Sequence, residues 1–157
     1  MADAMVALAN LTLGATQSTV TFSNIPATPY KDLRVIINGQ ATASSNMFIS
    51  YNGDTTAANY FWQWTMGNGS TATSSSGNDR VFGNSQNAQG VMIYDFLDYA
   101  ATDKHKINLA RTSFGGVEVV AVVERWASLA AITSIAFTAN GTTWAAGTSF
   151  AMYGIVG

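Results

Sequence analysis

The chain has 157 residues, which fits a single domain able to bury its own core without disulfide or metal support. It contains no cysteine, and this excludes a disulfide framework, a thiolate metal site and a cysteine nucleophile. The net charge is −2, so no basic surplus is present to neutralise the phosphates of a nucleic acid. Nucleic acid is therefore not an expected partner.

Charged residues are scarce: they make up 10% of the chain, against about 25% in ordinary soluble domains. Hydrophobic residues reach 48%. A surface of small neutral polar groups repels its neighbours weakly. This composition favours a protein that packs against copies of itself or against a larger assembly, although an ordinary domain with few charges is the alternative.

The N-terminus reads Met1-Ala2-Asp3-Ala4, which lacks the positive region and apolar core of a signal peptide. No apolar run approaches the roughly 18 residues that a membrane-spanning helix needs. We therefore expect neither a secretion signal nor a membrane partner. Residues Met1, Ala2, Asp3, Ala4 and Met5 precede the first regular pattern and are predicted to form an N-terminal arm.

Short alternating segments separated by turn residues predict β-strands in the first half of the chain. These predicted strands cover residues 6–13, 19–23, 32–38, 46–51 and 59–66. Asn52-Gly53 lies between the last two of them, and this dipeptide predicts a tight hairpin.

A polar segment of low complexity follows, beginning with GNGSTATSSSG at Gly67. Such a composition does not bury a core, so the segment is predicted to be an exposed loop. The loop is predicted to span residues 67–89, with Val81-Phe82 as a brief anchor. Loops of this length in a compact domain are usually functional or mobile.

The second half resumes the strand pattern, with predicted strands at residues 90–99, 104–111, 117–126, 132–138 and 149–156. The segment 117–126 is largely apolar on both faces and predicts a central strand covered on both sides. A short helix or turn over residues 123–132 is the alternative there, because Trp126, Leu129 and Ile132 would line one side.

Eight to ten strands with regular turns predict an all-β fold. The expected architecture is one antiparallel two-sheet sandwich, jelly-roll-like, over residues 6–157.

Few residues suggest catalysis or metal binding. The single histidine, His105, stands between lysines and is predicted to be a solvated residue near a strand end. Asp95, Asp98 and Asp103 lie close in sequence but lack EF-hand spacing, and a glycosidase carboxyl pair among them is a minor alternative. We therefore expect no enzyme activity, no cofactor and no metal.

The most informative aromatic cluster is Tyr60, Trp62 and Trp64, which share one face of a predicted strand. They either fill the sandwich core with Phe137 and Phe150 or form an exposed platform. Such a platform would stack against sugars or be buried in a subunit contact.

Several segments resemble β-sandwich domains of structural proteins in tailed bacteriophages. The resemblance is carried by VTFSNIP from Val20, YKDL from Tyr30, ISYNGD from Ile49 with Asn59-Tyr60, Trp126 with AITSI from Ala131, and GTSFAMYGI from Gly147. Met152 stands where the pattern leads us to expect leucine. The resemblance covers residues 6–157.

The resemblance implies a virion protein assembled in the host cytoplasm, and it transfers no catalytic residue. Such domains decorate capsids or occur in tail fibres. We expect a capsid decoration (cement) protein, usually a homotrimer, that binds the major capsid protein and bridges capsomers. The alternative is a tail-fibre or receptor-binding tip that binds host-surface glycan.

Overall fold

The computed structural model describes residues 4–115 and 118–157, which form twelve β-strands and one short 3₁₀ helix at Ala57–Asn59. In chain order the strands are β1 Met5–Thr12, β2 Thr19–Phe22, β3 Tyr30–Gly39, β4 Ser45–Tyr51, β5 Tyr60–Gly67, β6 Ala72–Gly77, β7 Val81–Ser85, β8 Gly90–Leu97, β9 Lys106–Phe114, β10 Glu118–Trp126, β11 Ile135–Ala139 and β12 Ser149–Val156. The prediction of an all-β fold with two antiparallel sheets is confirmed.

Eight of the strands follow the jelly-roll order. They pair as nested hairpins, with β1 against β12, β2 against β11, β3 against β8 and β4 against β7. β12 also pairs with β3, and β11 with β4. This is the pattern of one long hairpin rolled into a two-sheet sandwich, because successive nested pairs alternate between the sheets.

The remaining four strands enlarge one of the two sheets. The large sheet has the order β1-β12-β3-β8-β9-β10-β5-β6, and the small sheet has the order β2-β11-β4-β7. Thus the insertions β5–β6 and β9–β10 lie side by side and extend the large sheet beyond β8. The enlarged sheet has eight strands against four in the small sheet.

The core lies between the sheets and is rich in aromatic rings. Phe137 on β11 contacts Phe22, Tyr94, Phe96 and Phe150, with ring centroids 5.3–6.4 Å apart. These contacts join both sheets, because Phe22 belongs to the small sheet and the other three rings come from the large sheet. Tilted and edge-on ring pairs of this kind stabilise a core beyond their buried area.

Two predictions about connections are wrong. The segment 67–89 is not one loop: it contains β6 and β7, separated by the short connection 78–80. Asn52-Gly53 does form a turn with positive φ at both residues, but β4 and β5 do not pair with each other. The turn instead carries the chain from the small sheet to the large one.

The helix alternative for residues 123–132 is also wrong. Residues up to Trp126 belong to β10, and the segment 127–134 has no helix. In the described ranges, moreover, no helix is long and apolar enough to cross a membrane.

The predicted N-terminal arm is only partly described. Met1, Ala2 and Asp3 lie outside the described residues. Met5 is the first residue of β1 and pairs with Ile155, and the Ala4 carbonyl accepts a hydrogen bond from the Val156 N–H at 3.1 Å. Ala4 and Met5 are therefore tied to β12, and their assignment to an arm is wrong.

Candidate functional site

The outer face of the enlarged sheet carries most of the large hydrophobic side chains that are exposed among the described residues. Of ten large hydrophobic side chains that are exposed, seven lie on this face of β8, β9, β10 and β5. They are Val91, Leu97, Ile107, Leu109, Val119, Val123 and Phe61. We call this surface, defined by those seven residues, the outer apolar face.

Strand register places these side chains in neighbouring rows. Facing residues of an antiparallel pair project from the same side, so each row runs across β8, β9, β10 and β5. The rows are Leu97-Ile107-Arg125-Phe61, Asp95-Leu109-Val123-Gln63, Ile93-Arg111-Ala121-Thr65 and Val91-Ser113-Val119-Gly67. Leu109 and Val123 form the centre, with guanidinium groups of Arg111 and Arg125 beside them.

A shallow hollow of about 480 Å³ lies over this centre. Leu109, Ala121 and Val123 provide its apolar lining, and Gln63 and Asp95 are among its polar lining residues. The hollow arises on the outer side of the sheet, where no second layer of the described residues covers it.

Asp95 holds the polar side of the hollow in place. One carboxylate oxygen accepts from the Arg34 Nε at 2.7 Å, and the other accepts from Arg111 Nη2 at 2.8 Å. The hydrogen bond to Asp95 raises the pKa of Arg34 above its ordinary value. Because both guanidinium groups are exposed to solvent, these ion pairs orient side chains more than they stabilise the fold.

The three aspartates with close sequence positions do not converge. Asp98 forms an ion pair with Lys104 at 2.9 Å, away from the Asp95 pairs. Within residues 4–115 and 118–157, no group of three or more His, Cys, Asp or Glu side chains is arranged to hold a metal ion. His105 is exposed just before β9, as predicted.

The aromatic cluster on β5 faces inward. Tyr60 is fully buried, and its hydroxyl donates to the Asp54 carbonyl at 2.8 Å. Trp62 and Trp64 are half-buried on the same face, near the edge of the sandwich. Tyr60 therefore cannot stack against a sugar, and the proposed three-residue platform is wrong at that position. Phe61 and Gln63, on the opposite face of β5, are exposed.

A buried polar cluster, which the sequence did not reveal, joins the two sheets. The Tyr51 hydroxyl on β4 donates to Glu124 Oε2 on β10, and Asn108 Nδ2 on β9 donates to the Tyr51 oxygen at 2.9 Å. Burial raises the pKa of Glu124 to about 8, although the hydrogen bonds from Tyr51 and Asn108 oppose this shift. Removal from water disfavours the charged form of a carboxyl group. The cluster is sealed in the core, so it serves the fold and is closed to a substrate.

The fold and this surface define the class of protein: a jelly-roll β-sandwich whose larger sheet presents an uncovered apolar face. Comparisons with protein-family models, with curated proteins and with solved structures found no match to the chain.

Proposed function

We propose that this chain is a non-enzymatic structural protein of a tailed-phage particle, most simply a capsid decoration protein. The observation that carries the proposal is the outer apolar face, where seven exposed hydrophobic side chains share one side of four adjacent strands. Contiguous exposed apolar surface of this kind marks interaction sites in soluble proteins. A cement role gives the face a partner, namely a neighbouring protein of the capsid shell.

The composition of the face suits docking to another protein. Apolar side chains form its centre at Leu109 and Val123, and Arg125 lies exposed in the next row. Interfaces are often built this way, with an apolar centre, arginine enriched and a polar rim. The best partner surface would be apolar at its centre and carry carboxylates around it.

Each side chain of the face would gain from burial. Complete burial of a Val, Leu or Ile side chain contributes roughly 1.5–3 kcal/mol, and a half-exposed one contributes about half of that. Seven such gains must offset the entropy lost on association. Copies bound across a capsomer seam, as a homotrimer or otherwise, would then resist separation of the major capsid protein subunits.

A non-enzymatic role is supported by the use made of the titratable side chains. Asp95 and Asp98 pair with Arg or Lys side chains, and Glu124 is enclosed in the core. His105 is exposed just before β9, and the sequence contains neither a cysteine nor a G-x-S-x-G turn that would present a nucleophile to it. The contacts of these side chains therefore account for their presence without assigning them to a reaction.

The test is particle binding by matched variants. Leu109→Glu and Val123→Glu place a charge at the centre of the face, whereas Leu129→Glu places one on an exposed apolar residue outside it. We expect the first two to reduce occupancy on capsids stripped of this protein by about tenfold or more, since a buried unpaired charge is costly. Leu129→Glu should bind like the wild type.

Electron microscopy of the particles locates the protein independently. A reconstruction of virions from the phage that encodes the chain should show its density on the shell, with the outer apolar face against the capsid. Virions that lack the protein, or density on the tail alone, would contradict the decoration role.

Glycan binding at a fibre tip is a second candidate, favoured by the hollow. Asp95, Arg111 and Gln63 provide polar groups beside an apolar floor, a combination that suits a sugar. If this candidate is correct, binding on a glycan array is lost in Asp95→Asn and Gln63→Ala. Trp64→Ala tests the half-buried ring of the original aromatic cluster in the same assay. Absence of glycan binding by the folded wild type would rule the candidate out.

A further inference from the structure

The edges of the two sheets differ in how they are protected from pairing. β1 has a bulge between Ala7 and Ala9, β7 has an irregular register around Gly83, and β2 is only four residues long. Bulges and short edge strands hinder pairing with another chain. β6, at the far edge of the large sheet, has none of these features.

β6 is a regularly paired and accessible edge strand. It pairs with β5 over six consecutive residues without a register shift, and five of its six residues are exposed. Its sequence, ATSSSG, contains no charged residue and no proline. It therefore leaves a row of backbone donors and acceptors free for a further strand.

The β5–β6 hairpin shows which groups point to the free edge. At its end, the Asn68 N–H donates to the Thr71 carbonyl at 3.2 Å. Hydrogen-bonded and non-hydrogen-bonded pairs alternate along an antiparallel ladder. Counting from that pair, the backbone groups of Ala72, Ser74 and Ser76 are directed away from β5.

We propose that β6 pairs with β6 of a second copy of this chain, antiparallel and around a two-fold axis at Ser74. Ser74 then faces Ser74 of the copy, and Ala72 faces Ser76, which allows about six backbone hydrogen bonds. The two eight-stranded sheets become one continuous sheet. This contact does not depend on the proposed virion role.

A second copy fits this edge because the facing side chains match. Every β6 residue that meets another across the two-fold axis is small and neutral, so these side chains bring neither like charge nor bulk to the contact. The partner strand must itself be extended and free on one side, and β6 of another copy meets that condition by construction. A symmetric contact of this type closes on itself and leaves no further free edge at β6.

Single cysteines provide a sharp test because the chain has none of its own. In the proposed register Ser74→Cys faces its copy with Cα atoms about 5.5 Å apart, within the range that a disulfide spans. Ser76→Cys is the matched control on the same strand and face. Its two copies would be about 14 Å apart, four residues along the strand, and too far to bridge. We expect Ser74→Cys to form the covalent dimer about tenfold faster or more.

Reversible association tests the hydrogen bonds directly. In sedimentation experiments over a wide concentration range, the wild type should dimerise. Ser74→Pro removes an outward N–H from each copy without touching the β5 ladder, and it should weaken dimerisation about tenfold. Ser74→Lys, which leaves the backbone unchanged, should also weaken it through like charges, whereas Ser74→Thr should not.

Three results would overturn the proposal. One is a wild-type protein that shows no self-association at any concentration, even if it binds foreign peptide strands. Another is equal cross-linking of Ser74→Cys and Ser76→Cys. The third is association that survives in Ser74→Lys but is lost in Leu109→Glu, since that would place the contact on the outer apolar face.

Discussion

At the scale of single residues, Glu124 shows how strongly the position in a sheet determines a role. In the sequence Glu124 stands beside Arg125, and two adjacent opposite charges are typical of an exposed surface pair. In β10 successive side chains project to opposite faces, so Arg125 is exposed and Glu124 is fully buried. The same alternation brings Glu124 opposite Asn108 on β9 and within reach of Tyr51 from the other sheet.

This burial predicts a pH-dependent stability. The pKa of Glu124 is about 8 in the folded protein, against 4.5 for an unperturbed glutamate, so the folded state binds the proton more tightly. Its contribution is fully present below about pH 4.5 and is lost as the pH rises through about 8. The free energy of unfolding should therefore fall over that window by a few kcal/mol, because the size of the fall is set by the difference between the folded and unfolded pKa values of Glu124.

Glu124→Gln separates this effect from others because glutamine is neutral and nearly isosteric. Urea unfolding at pH values across the window should give a nearly flat free energy for Glu124→Gln and a falling one for the wild type. Glu118→Gln, at a half-buried glutamate bonded to Asn84 and Gln86, is the control and should keep the wild-type slope. Parallel slopes in Glu124→Gln and the wild type would mean that another group titrates.

At the scale of elements, β10 shows that an apolar sequence does not ensure burial of both faces of a strand. Its sequence is apolar on both faces, which predicted a strand covered on both sides. The structure covers only the inner face, and Val119 and Val123 are 63% and 47% exposed on the other. Whether a second layer lies over a strand is decided by the number and order of strands in both sheets. The β10 sequence alone therefore does not predict that its outer face is uncovered.

Adjacent valines on β10 test the two faces with the same chemical change. Val122→Ala removes methyl groups from the core and should reduce the free energy of unfolding by about 2 kcal/mol. Val123→Ala removes the same groups from the outer apolar face and should change it by no more than about 0.5 kcal/mol. Val123→Ala should nevertheless weaken docking to the particle. Equal losses of stability in denaturant unfolding would show that the outer face is covered within the monomer.

The sequence predicts a loop where the structure has β6, and here a polar composition, rather than an apolar one, is misleading. Serine, threonine and glycine are typical of loops, and nothing in ATSSSG predicts burial. The strand exists because Asn68-Gly69 turns the chain back along β5, and because Gly77 admits the Trp62 ring. A Cβ at Gly77 would approach the Trp62 ring to 2.9 Å. Pairing with β5 and its aromatic side chains therefore holds β6 in a strand that its own composition does not predict.

At the scale of the whole molecule, the nested pairing makes the two ends of the chain unequal. β12 lies between β1 and β3, and it buries Phe150 and Met152. β1 is an edge strand with no fully buried residue among those described. The last strand is therefore part of the core of the large sheet, whereas the first strand covers its edge.

Truncation tests this inequality. A chain that ends at Thr148 lacks β12, and we expect it to lose cooperative unfolding, since β1 and β3 then have no neighbour between them. A chain that begins at Leu13 lacks only β1 and should unfold cooperatively at a lower urea concentration than the full chain. Circular dichroism during urea unfolding measures both, and a cooperative transition in the chain ending at Thr148 would contradict the expected role of β12.

The sequence by itself determined the fold class and most strand positions. It did so because a period of two residues and the chemistry of turns are local properties. Strands such as β3 and β12 were recognised for that reason, and His105 was correctly placed at the surface.

Only the tertiary structure decided which strands pair and which faces stay open. The same Asn-Gly dipeptide either begins a hairpin turn, as at Asn68, or sends the chain to the other sheet, as at Asn52. Pairing depends on partners distant in the chain, so the buried Glu124, the inward Tyr60 and the outer apolar face emerge only when the two sheets are assembled.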